Sequence, residues 1–251
     1  ASGTDDDGSP VSDSDDATVS ITDLAASIEV TKTASPTSIQ EPGGTATFAV
    51  TVRNTSAVDS VTISSLADDI YGNLDGKGDC DVPQTLAAGA SYSCSFTGAV
   101  AGNAGSSHTD VVTASGTDDD GSPVSDSDDA TVSITDLAAS ILVTKTADPV
   151  SLPEPGGSAS FAVTVKNTSA VDSVTITSLS DDVYGDLDGK GDCEVPQTIA
   201  AGGSYGCSFT GAVSGNAGST HTDVVTASGT DDDGSPVSDS DDATVSITDL
   251  A

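Results

Sequence analysis

Two kinds of segment in the 251-residue chain concentrate aspartate at spacings that could hold a metal ion. The first kind spans residues 68–81 and returns at 181–194; the second spans residues 118–129 and returns at 5–16 and 231–242. Two carboxylates 5 Å apart repel by roughly 3 kcal/mol at an effective dielectric of 20. A hard divalent cation converts that repulsion into attraction, and calcium binds six to eight oxygens in flexible geometry. The segments therefore predict calcium sites.

The candidate ligands are the oxygen-bearing side chains of these segments. In the first kind of segment they are Asp68, Asp69, Asn73, Asp75, Asp79, Asp181, Asp182, Asp186, Asp188 and Asp192. In the second kind they are Asp118, Asp119, Asp120, Asp126, Asp128, Asp129, Asp231, Asp232, Asp233, Asp239, Asp241, Asp242, Asp5, Asp6, Asp7, Asp13, Asp15 and Asp16. The alternative is a solvated acidic surface or an adaptation to high salt, but such a surface would spread its charge over every exposed face.

The spacing of these residues favours metal binding. Asp186, Asp188 and Asp192 stand at positions 1, 3 and 7 of a loop whose glycines let it curl,. In an extended strand Asp126 and Asp128 share a face with apolar residues that should point to a core. Two carboxylates directed that way are costly without a cation, although a β-bulge would turn them outward.

The strands that must position these side chains belong to an internal sequence repeat with an offset of 113 residues. Residues 1–25 are identical to residues 227–251, two offsets later. We expect one β-domain at 25–137 and a second at 138–251. Residues 1–24 then form the last hairpin of a preceding repeat. Alternatively, they complete a neighbouring subunit by strand addition.

Each copy carries about seven short runs of alternating apolar and polar residues, separated by turn signals,. The clearest run covers residues 45–52 and places Ala46, Phe48, Val50 and Val52 on one face. Seven strands in roughly 110 residues are typical of an immunoglobulin-like sandwich. The sequence thus predicts an all-β fold of tandem immunoglobulin-like β-sandwich repeats.

Composition excludes several classes of partner. The chain has 40 acidic and 6 basic residues, a formal net charge of −34. Nucleic acids and anionic lipid surfaces are therefore excluded, because both are bound through lysine and arginine. No run approaches the ~20 apolar residues of a membrane span, so we expect no membrane insertion.

The four cysteines point to an oxidising, extracellular location. Cys80 and Cys94 lie 14 residues apart, and Cys193 and Cys207 repeat that spacing. Four cysteines allow three connectivities, but a pair that recurs as a unit favours the disulfides Cys80–Cys94 and Cys193–Cys207. A zinc site is disfavoured, since two thiols without nearby histidines bind zinc poorly.

Other motifs are weaker. Asn54 and Asn167 begin glycosylation sequons and are possible glycan sites, although a turn between strands explains them equally well,. Paired carboxylates could hydrolyse glycosides, but that chemistry needs a cleft and usually aromatic sugar platforms. With no nucleophile constellation and no phosphate loop, we expect no enzymatic activity.

The run at 41–56 and 154–169, Glu-Pro-Gly-Gly followed by an alternating strand and Asn-Thr-Ser, resembles the prokaryotic surface repeats called domain of unknown function eleven. The resemblance implies immunoglobulin-like wall, sheath or fibre proteins and transfers no catalytic residue. We expect a calcium-stabilised extracellular fibre, sheath or surface array whose partner is itself, with residues 68–81 of one repeat facing 231–242 of the next. The alternative is the rigid stalk of a calcium-dependent adhesin or carbohydrate-binding surface protein.

Overall fold

The computed structural model describes residues 1–250, and those residues form strands, turns and loops without a helix. The all-β prediction is therefore confirmed. No helix in the described range could cross a membrane. Residues 1–33, 48–96 and 110–130 make one compact unit, and residues 34–47, 97–109 and 131–251 make a second. The domain boundaries given above remain predictions.

Within residues 1–250, twenty strands follow one another. Those before residue 137 are β1 (Ser2–Thr4), β2 (Pro10–Ser12), β3 (Ile28–Ser35), β4 (Ser38–Gln40), β5 (Gly43–Asn54), β6 (Val61–Asp68), β7 (Gly72–Asn73), β8 (Gln84–Leu86), β9 (Ser91–Ala101), β10 (Ser107–Asp118) and β11 (Pro123–Thr135). Those after it are β12 (Ile141–Asp148), β13 (Ser151–Pro153), β14 (Gly156–Asn167), β15 (Val174–Asp181), β16 (Gly185–Asp186), β17 (Gln197–Ile199), β18 (Ser204–Ser214), β19 (Thr220–Asp231) and β20 (Pro236–Thr248).

The second copy is a two-sheet sandwich. One sheet has the order β12-β14-β18, and the other has the order β13-β20-β19-β15-β16, with β17 paired to β15. Neighbours are antiparallel except β13 and β20, which run parallel. Phe161, Ile176, Leu179 and Val225 belong to a single buried cluster to which both sheets contribute. Alternation produces this core, since successive side chains of a strand point to opposite faces.

The first copy shows the same strand orders, β3-β5-β9 in one sheet and β4-β11-β10-β6-β7 in another, with β8 paired to β6. The predicted inward face of β5 is confirmed, because Ala46, Phe48, Val50 and Val52 are all buried. The two disulfides also form as predicted, Cys80–Cys94 and Cys193–Cys207. Cys80–Cys94 joins the acidic loop after β7 to the long strand β9, and Cys193–Cys207 joins the loop after β16 to β18.

Identical sequences adopt different structures at the two ends. Residues 1–25 form only the short antiparallel hairpin of β1 and β2, with no strand from 13 to 27. Their copy at 227–251 contains the end of β19 and all of β20. Val19 and Ile21 are 85% and 97% exposed, whereas Val245 and Ile247 are buried. Strand length here is decided by available partners, since β20 is flanked by β19 and β13.

Candidate functional site

Five acidic side chains converge where the first sequence copy gives way to the second. Asp136, Asp172 and Asp231 each place one carboxylate oxygen within 4.8 Å of the others, and Glu41, Asp136 and Asp233 do the same. Asp136 belongs to both groups. We call these five residues the junction cluster.

The ends of strands position the junction cluster. Glu41 directly follows β4, Asp136 directly follows β11, and Asp231 is the last residue of β19. Asp233 lies in the turn after β19, and Asp172 lies in the loop between β14 and β15. Strand ends meet at the pole of a sandwich, so residues distant in sequence can share one small volume there.

Hydrogen bonds fix several of these carboxylates. Glu41 accepts the backbone N–H of Ala104 on Oε2 at 2.9 Å and that of Leu137 on Oε1 at 3.2 Å. The hydroxyl of Ser235 donates to Oδ2 of Asp136 at 2.8 Å, and its backbone N–H donates to Oδ1 of Asp231 at 2.7 Å. The carboxylates are thus held in place rather than free to swing apart.

Two oxygens of the cluster are left without a hydrogen-bond donor. Oδ1 of Asp136 and Oδ2 of Asp231 are both buried and unpartnered within residues 1–250. Asp231 as a whole is only 5% exposed. A buried polar atom without a partner costs about 1–3 kcal/mol, and more when it is charged. Such a pair of oxygens marks a place where a cation would be stabilised.

The electrostatics of the cluster agree with that description. Desolvation, then the negative charge of Glu41, raise the pKa of Asp233 to about 6. The same two causes raise the pKa of Asp172. The pKa of Glu41 is lowered, chiefly by the N–H of Ala104. The ionised forms of Asp233 and Asp172 are therefore destabilised by their surroundings. None of the ion pairs within the described residues includes a member of the junction cluster.

Only oxygen donors converge here. Carboxylates suit hard cations such as calcium, magnesium and manganese, whereas zinc and copper prefer nitrogen and sulfur ligands. The irregular loops around the cluster favour calcium, because magnesium demands near-ideal octahedral geometry.

A related arrangement occurs 113 residues earlier. The hydroxyl of Ser122 lies 3.5 Å from Oδ2 of Asp23, and Oδ2 of Asp118 is buried without a partner in the described chain. The charge of Asp23 is the first cause that raises the pKa of Asp120. Asp23, Asp118 and Asp120 are the counterparts of Asp136, Asp231 and Asp233.

The structure distributes the predicted ligands differently from the sequence expectation. Of the predicted residues, Asp231 and Asp233 join the junction cluster. The loop at 68–81 supplies no member of either carboxylate group in the described chain. The residues that accompany Asp231 and Asp233, in the place expected for that loop, are Glu41, Asp136 and Asp172. None of these three was a predicted ligand.

Within the acidic loops, the carboxylates instead accept backbone N–H groups, either of their own loop or of a neighbouring strand. Asp75 accepts the N–H of Val82 at 3.1 Å, and Asp188 accepts that of Val195 at 3.0 Å. Asp186 accepts the N–H of Asp188. Further contacts of this kind are Asn73 with Asp75, Asp79 with Ser95, Asp192 with Ser208, Asp69 with Val111 and Asp182 with Val224. The loops are therefore organised by backbone N–H groups.

The Asp126 and Asp128 carboxylates also accept backbone N–H groups. Their Oδ2 atoms accept the backbone N–H of Val30 and Lys32, both at 2.7 Å. In the second copy, Asp239 and Asp241 accept those of Val143 and Lys145 at 2.7 and 2.8 Å. These contacts agree with the predicted inward direction, and the N–H groups of β3 and β12 offset part of the cost of burying the carboxylates. Calcium at these residues stays a prediction.

Asp68 and Asp181 are removed from the metal candidates for another reason. Each is buried, and its Oδ2 accepts a hydrogen bond from a lysine Nζ, Lys32 for Asp68 and Lys145 for Asp181. The remaining predicted ligands are exposed and join neither carboxylate group: Asp5, Asp6, Asp7, Asp13, Asp15, Asp16, Asp119, Asp129, Asp232 and Asp242.

The two sequons have a structural role. Asn54 and Asn167 are completely buried. Nδ2 of Asn54 donates to the carbonyl of Asp59 at 2.8 Å, and Nδ2 of Asn167 donates to that of Asp172 at 2.8 Å. A buried amide that already donates inward leaves no place for a sugar, so we no longer expect a glycan at either residue.

No family model matches the chain, and no curated protein matches it. Solved structures show only a loose likeness. A tetra-tandem repeat from the extending region of a large adhesion protein is 22% identical with a TM-score of 0.33, over 97% of this chain and 55% of that one. Red sea bream transglutaminase is 13% identical with a TM-score of 0.30, over 89% and 31%. A 1.5-MDa bacterial ice-binding adhesin is 18% identical with a TM-score of 0.27, over 89% and 66%.

The chain thus spans about half the length of the first of these structures. At TM-scores well below 0.5, the likeness carries no argument about function.

Proposed function

We propose that the chain is a structural segment of an extracellular array of tandem β-sandwich repeats in which calcium bound at the junction cluster fastens one repeat to the next. The observation that supports this proposal is the pair of buried, unpartnered oxygens, Oδ1 of Asp136 and Oδ2 of Asp231, among carboxylates from both sequence copies. A cation there would satisfy both oxygens and offset the repulsion that raises the pKa of Asp233.

Two other features support an extracellular, structural role. The disulfides Cys80–Cys94 and Cys193–Cys207 are typical of oxidising compartments,. The resemblance of residues 41–56 and 154–169 to prokaryotic surface repeats has the same implication. The proposal assigns no catalytic role to the converging carboxylates.

A rigid stalk that displays an adhesive or carbohydrate-binding module is the second candidate. The segment Thr135–Ser140 that connects the copies contains neither glycine nor proline, which suits a stiff joint,. The two candidates differ in what the purified chain does with calcium: an array protein associates into periodic filaments, and a stalk stays monomeric.

The test is a comparison of melting temperature and small-angle scattering with calcium and with a chelator. A ligand at 100 times its dissociation constant stabilises the folded state by about 2.7 kcal/mol. Asp136→Asn, which alters the residue shared by both carboxylate groups, should abolish most of that gain. Asp129→Asn, at an exposed position, should preserve it. Identical melting and scattering with calcium and with chelator would contradict the proposal.

A further inference from the structure

Each sequence copy buries one lysine between two aspartates. In the first copy, Nζ of Lys32 lies 2.6 Å from Oδ2 of Asp68 and also contacts Oδ2 of Asp110. All three side chains are fully inaccessible to solvent. The group carries one positive and two negative formal charges in the protein interior, where each ion costs several kcal/mol to desolvate.

Aromatic rings close the site against water. The Nζ atom of Lys32 is 5.0 Å from the ring centroid of Phe48 and 5.9 Å from that of Phe96. Tyr71 packs against both rings at centroid distances of 5.4 Å. Desolvation, reinforced by the charge of Asp110, raises the pKa of Tyr71 to about 12. The amine and the two carboxyl groups are therefore shielded from solvent.

The two carboxyl groups have different environments. Oδ1 of Asp68 accepts the backbone N–H groups of Ile70 and Tyr71 at 2.9 and 2.8 Å. Oδ1 of Asp110 is buried and has no hydrogen-bond partner in the described chain. Asp68 is thus held as an anion by three donors, whereas Asp110 is a poorly solvated carboxylate with one oxygen left unsatisfied.

The pKa directions agree with this difference. Desolvation raises the pKa of Asp110 and outweighs its hydrogen bond from Lys32. Desolvation also acts on Asp68, but the hydrogen bonds from Lys32, Tyr71 and Ile70 outweigh it and lower the pKa. Neighbouring carboxyl groups whose pKa values are pushed apart are suited to separate acid and base roles.

We propose that Nζ of Lys32 condenses with Cγ of Asp110 to form an isopeptide bond between β3 and β10, and that Asp68 relays the proton. The second copy repeats the arrangement with Lys145, Asp223 and Asp181: Nζ of Lys145 lies 2.5 Å from Oδ2 of Asp181 and contacts Oδ2 of Asp223. Its rings are Phe161 and Phe209, with centroids 4.9 and 5.8 Å from Nζ.

The reaction balances without any further reagent. One proton passes from the Lys32 ammonium to the Asp110 carboxylate, leaving an amine and a carboxylic acid. Nζ attacks Cγ, and Asp68 takes a second proton from Nζ. Asp68 then delivers that proton to the departing hydroxyl group of Asp110, the C–O bond breaks and water leaves. Asp68 ends as the carboxylate it began as, and Lys32 retains one N–H in the amide.

Proximity lowers the barrier that an amine and a carboxylate face when they condense in water. Well-oriented groups within one molecule react at effective molarities on the order of 10⁵–10⁸ M. Condensation also removes one positive and one negative charge from the interior, and so removes the anion whose Oδ1 has no partner. The simpler description is a permanent ion triad, and a mass measurement separates the two.

The experiment measures the intact mass of the full chain, folded, then denatured and reduced. Two bonds lower the mass by two waters relative to the reduced sequence. Lys32→Arg should halve that deficit, because a guanidinium does not attack the carboxyl group. Lys166→Arg, at an exposed position, should retain the full deficit. Asp68→Asn should leave a detectable fraction of the first site open, since the proton relay is lost.

A tryptic digest provides a second readout. Modified lysines are not cleaved, so residues 1–53, 78–166 and 191–251 should be recovered as one branched product, with 54–77 and 167–190 released. Recovery of the sequence mass without a deficit, and of normal cleavage after Lys32 and Lys145, from protein with both disulfides formed would overturn the proposal. This readout requires no calcium and no assembly, so it is independent of the proposed function.

Discussion

Oδ2 of Asp128 accepts the backbone N–H of Lys32 at 2.7 Å, which joins a side chain of β11 to the edge strand β3. Asp241 and Lys145 repeat the contact at 2.8 Å. An edge strand presents a row of unpaired N–H groups that invite pairing with another chain. Here a side chain from a different sheet satisfies one of them, so the acidic residues of the hairpin stabilise the sandwich.

Replacing Asp241 should therefore destabilise the second copy. Asp241→Ala leaves the Lys145 N–H without its acceptor, which costs about 1–3 kcal/mol. Asp242→Ala is the matched control, because its side chain is exposed and such changes usually stay within about 0.5 kcal/mol. Urea unfolding of both variants measures the difference, and equal midpoints would contradict the proposed role.

Removing the buried lysine should cost more. Lys145→Met leaves Asp181 and Asp223 as two buried carboxylates without a partner, and the loss of one partner of a buried pair costs about 3–5 kcal/mol; the loss of the proposed bond to Asp223 adds to this cost. Lys166→Met, on an exposed position of β14, should be close to neutral. The free energy of unfolding, measured in chelator so that calcium does not contribute, distinguishes the two. A Lys145→Met protein as stable as the wild type would show that the triad is not needed for the fold.

The junction cluster should make stability in chelator depend on pH. Desolvation and the charge of Glu41 raise the pKa of Asp233 from 3.8 to about 6. The folded state therefore binds this proton more tightly than the unfolded state, and the contribution of Asp233 to stability falls as the pH rises from 3.8 to about 6,. Above that range Asp233 is ionised in both states, and its full destabilising effect on the folded state is present.

Asp233→Asn isolates this effect, because an amide has no charge at any of these pH values. In chelator the variant should gain stability relative to the wild type as the pH rises through this window, and the two should be similar at the acidic end. Thermal melting of both proteins across the range is the measurement. Parallel curves would mean that Asp233 titrates normally.

Gly229 should be intolerant of a side chain. The pairing of β15 with β19 shifts register between Ile176 and Ser178, and a Cβ at Gly229 would lie 1.9 Å from the carbonyl oxygen of Thr175. Gly229→Ala should therefore cost several times as much as Gly206→Ala, whose Cβ would meet nothing closer than 3.8 Å. The first copy already carries a side chain, Ser93, at the position equivalent to Gly206. Equal unfolding free energies would place the bulge elsewhere.

The strands were predictable because alternation is a local signal that burial enforces. Residues 45–52 show this well, since one face had to be apolar and that face is buried. The behaviour of residues 13–24 was not predictable in the same way, because their sequence is identical to one that forms a long strand. Their structure depends on which partners they have, and no local pattern encodes that.

The site was only half predictable for a related reason. The sequence predicted Asp231 and Asp233 as ligands, but it gave no such indication for Glu41, which stands in the Glu-Pro-Gly-Gly run before a strand. These residues come together only because the ends of several strands meet in the folded structure. The spacing of residues along the sequence does not predict that meeting. Lys32 did leave a signal, because it occupies the inward phase set by Ile28 and Val30, where an unpaired lysine is almost never found.

The parallel pairs have a mechanical consequence. Ser38–Gln40 of β4 runs parallel to Ser133–Thr135 of β11, and Ser151–Pro153 of β13 runs parallel to Ser246–Thr248 of β20. Each pair joins a segment near the start of a copy to one near its end. Tension along the polypeptide pulls such strands past each other, so their hydrogen bonds bear the load together in shear and cannot be unzipped one at a time.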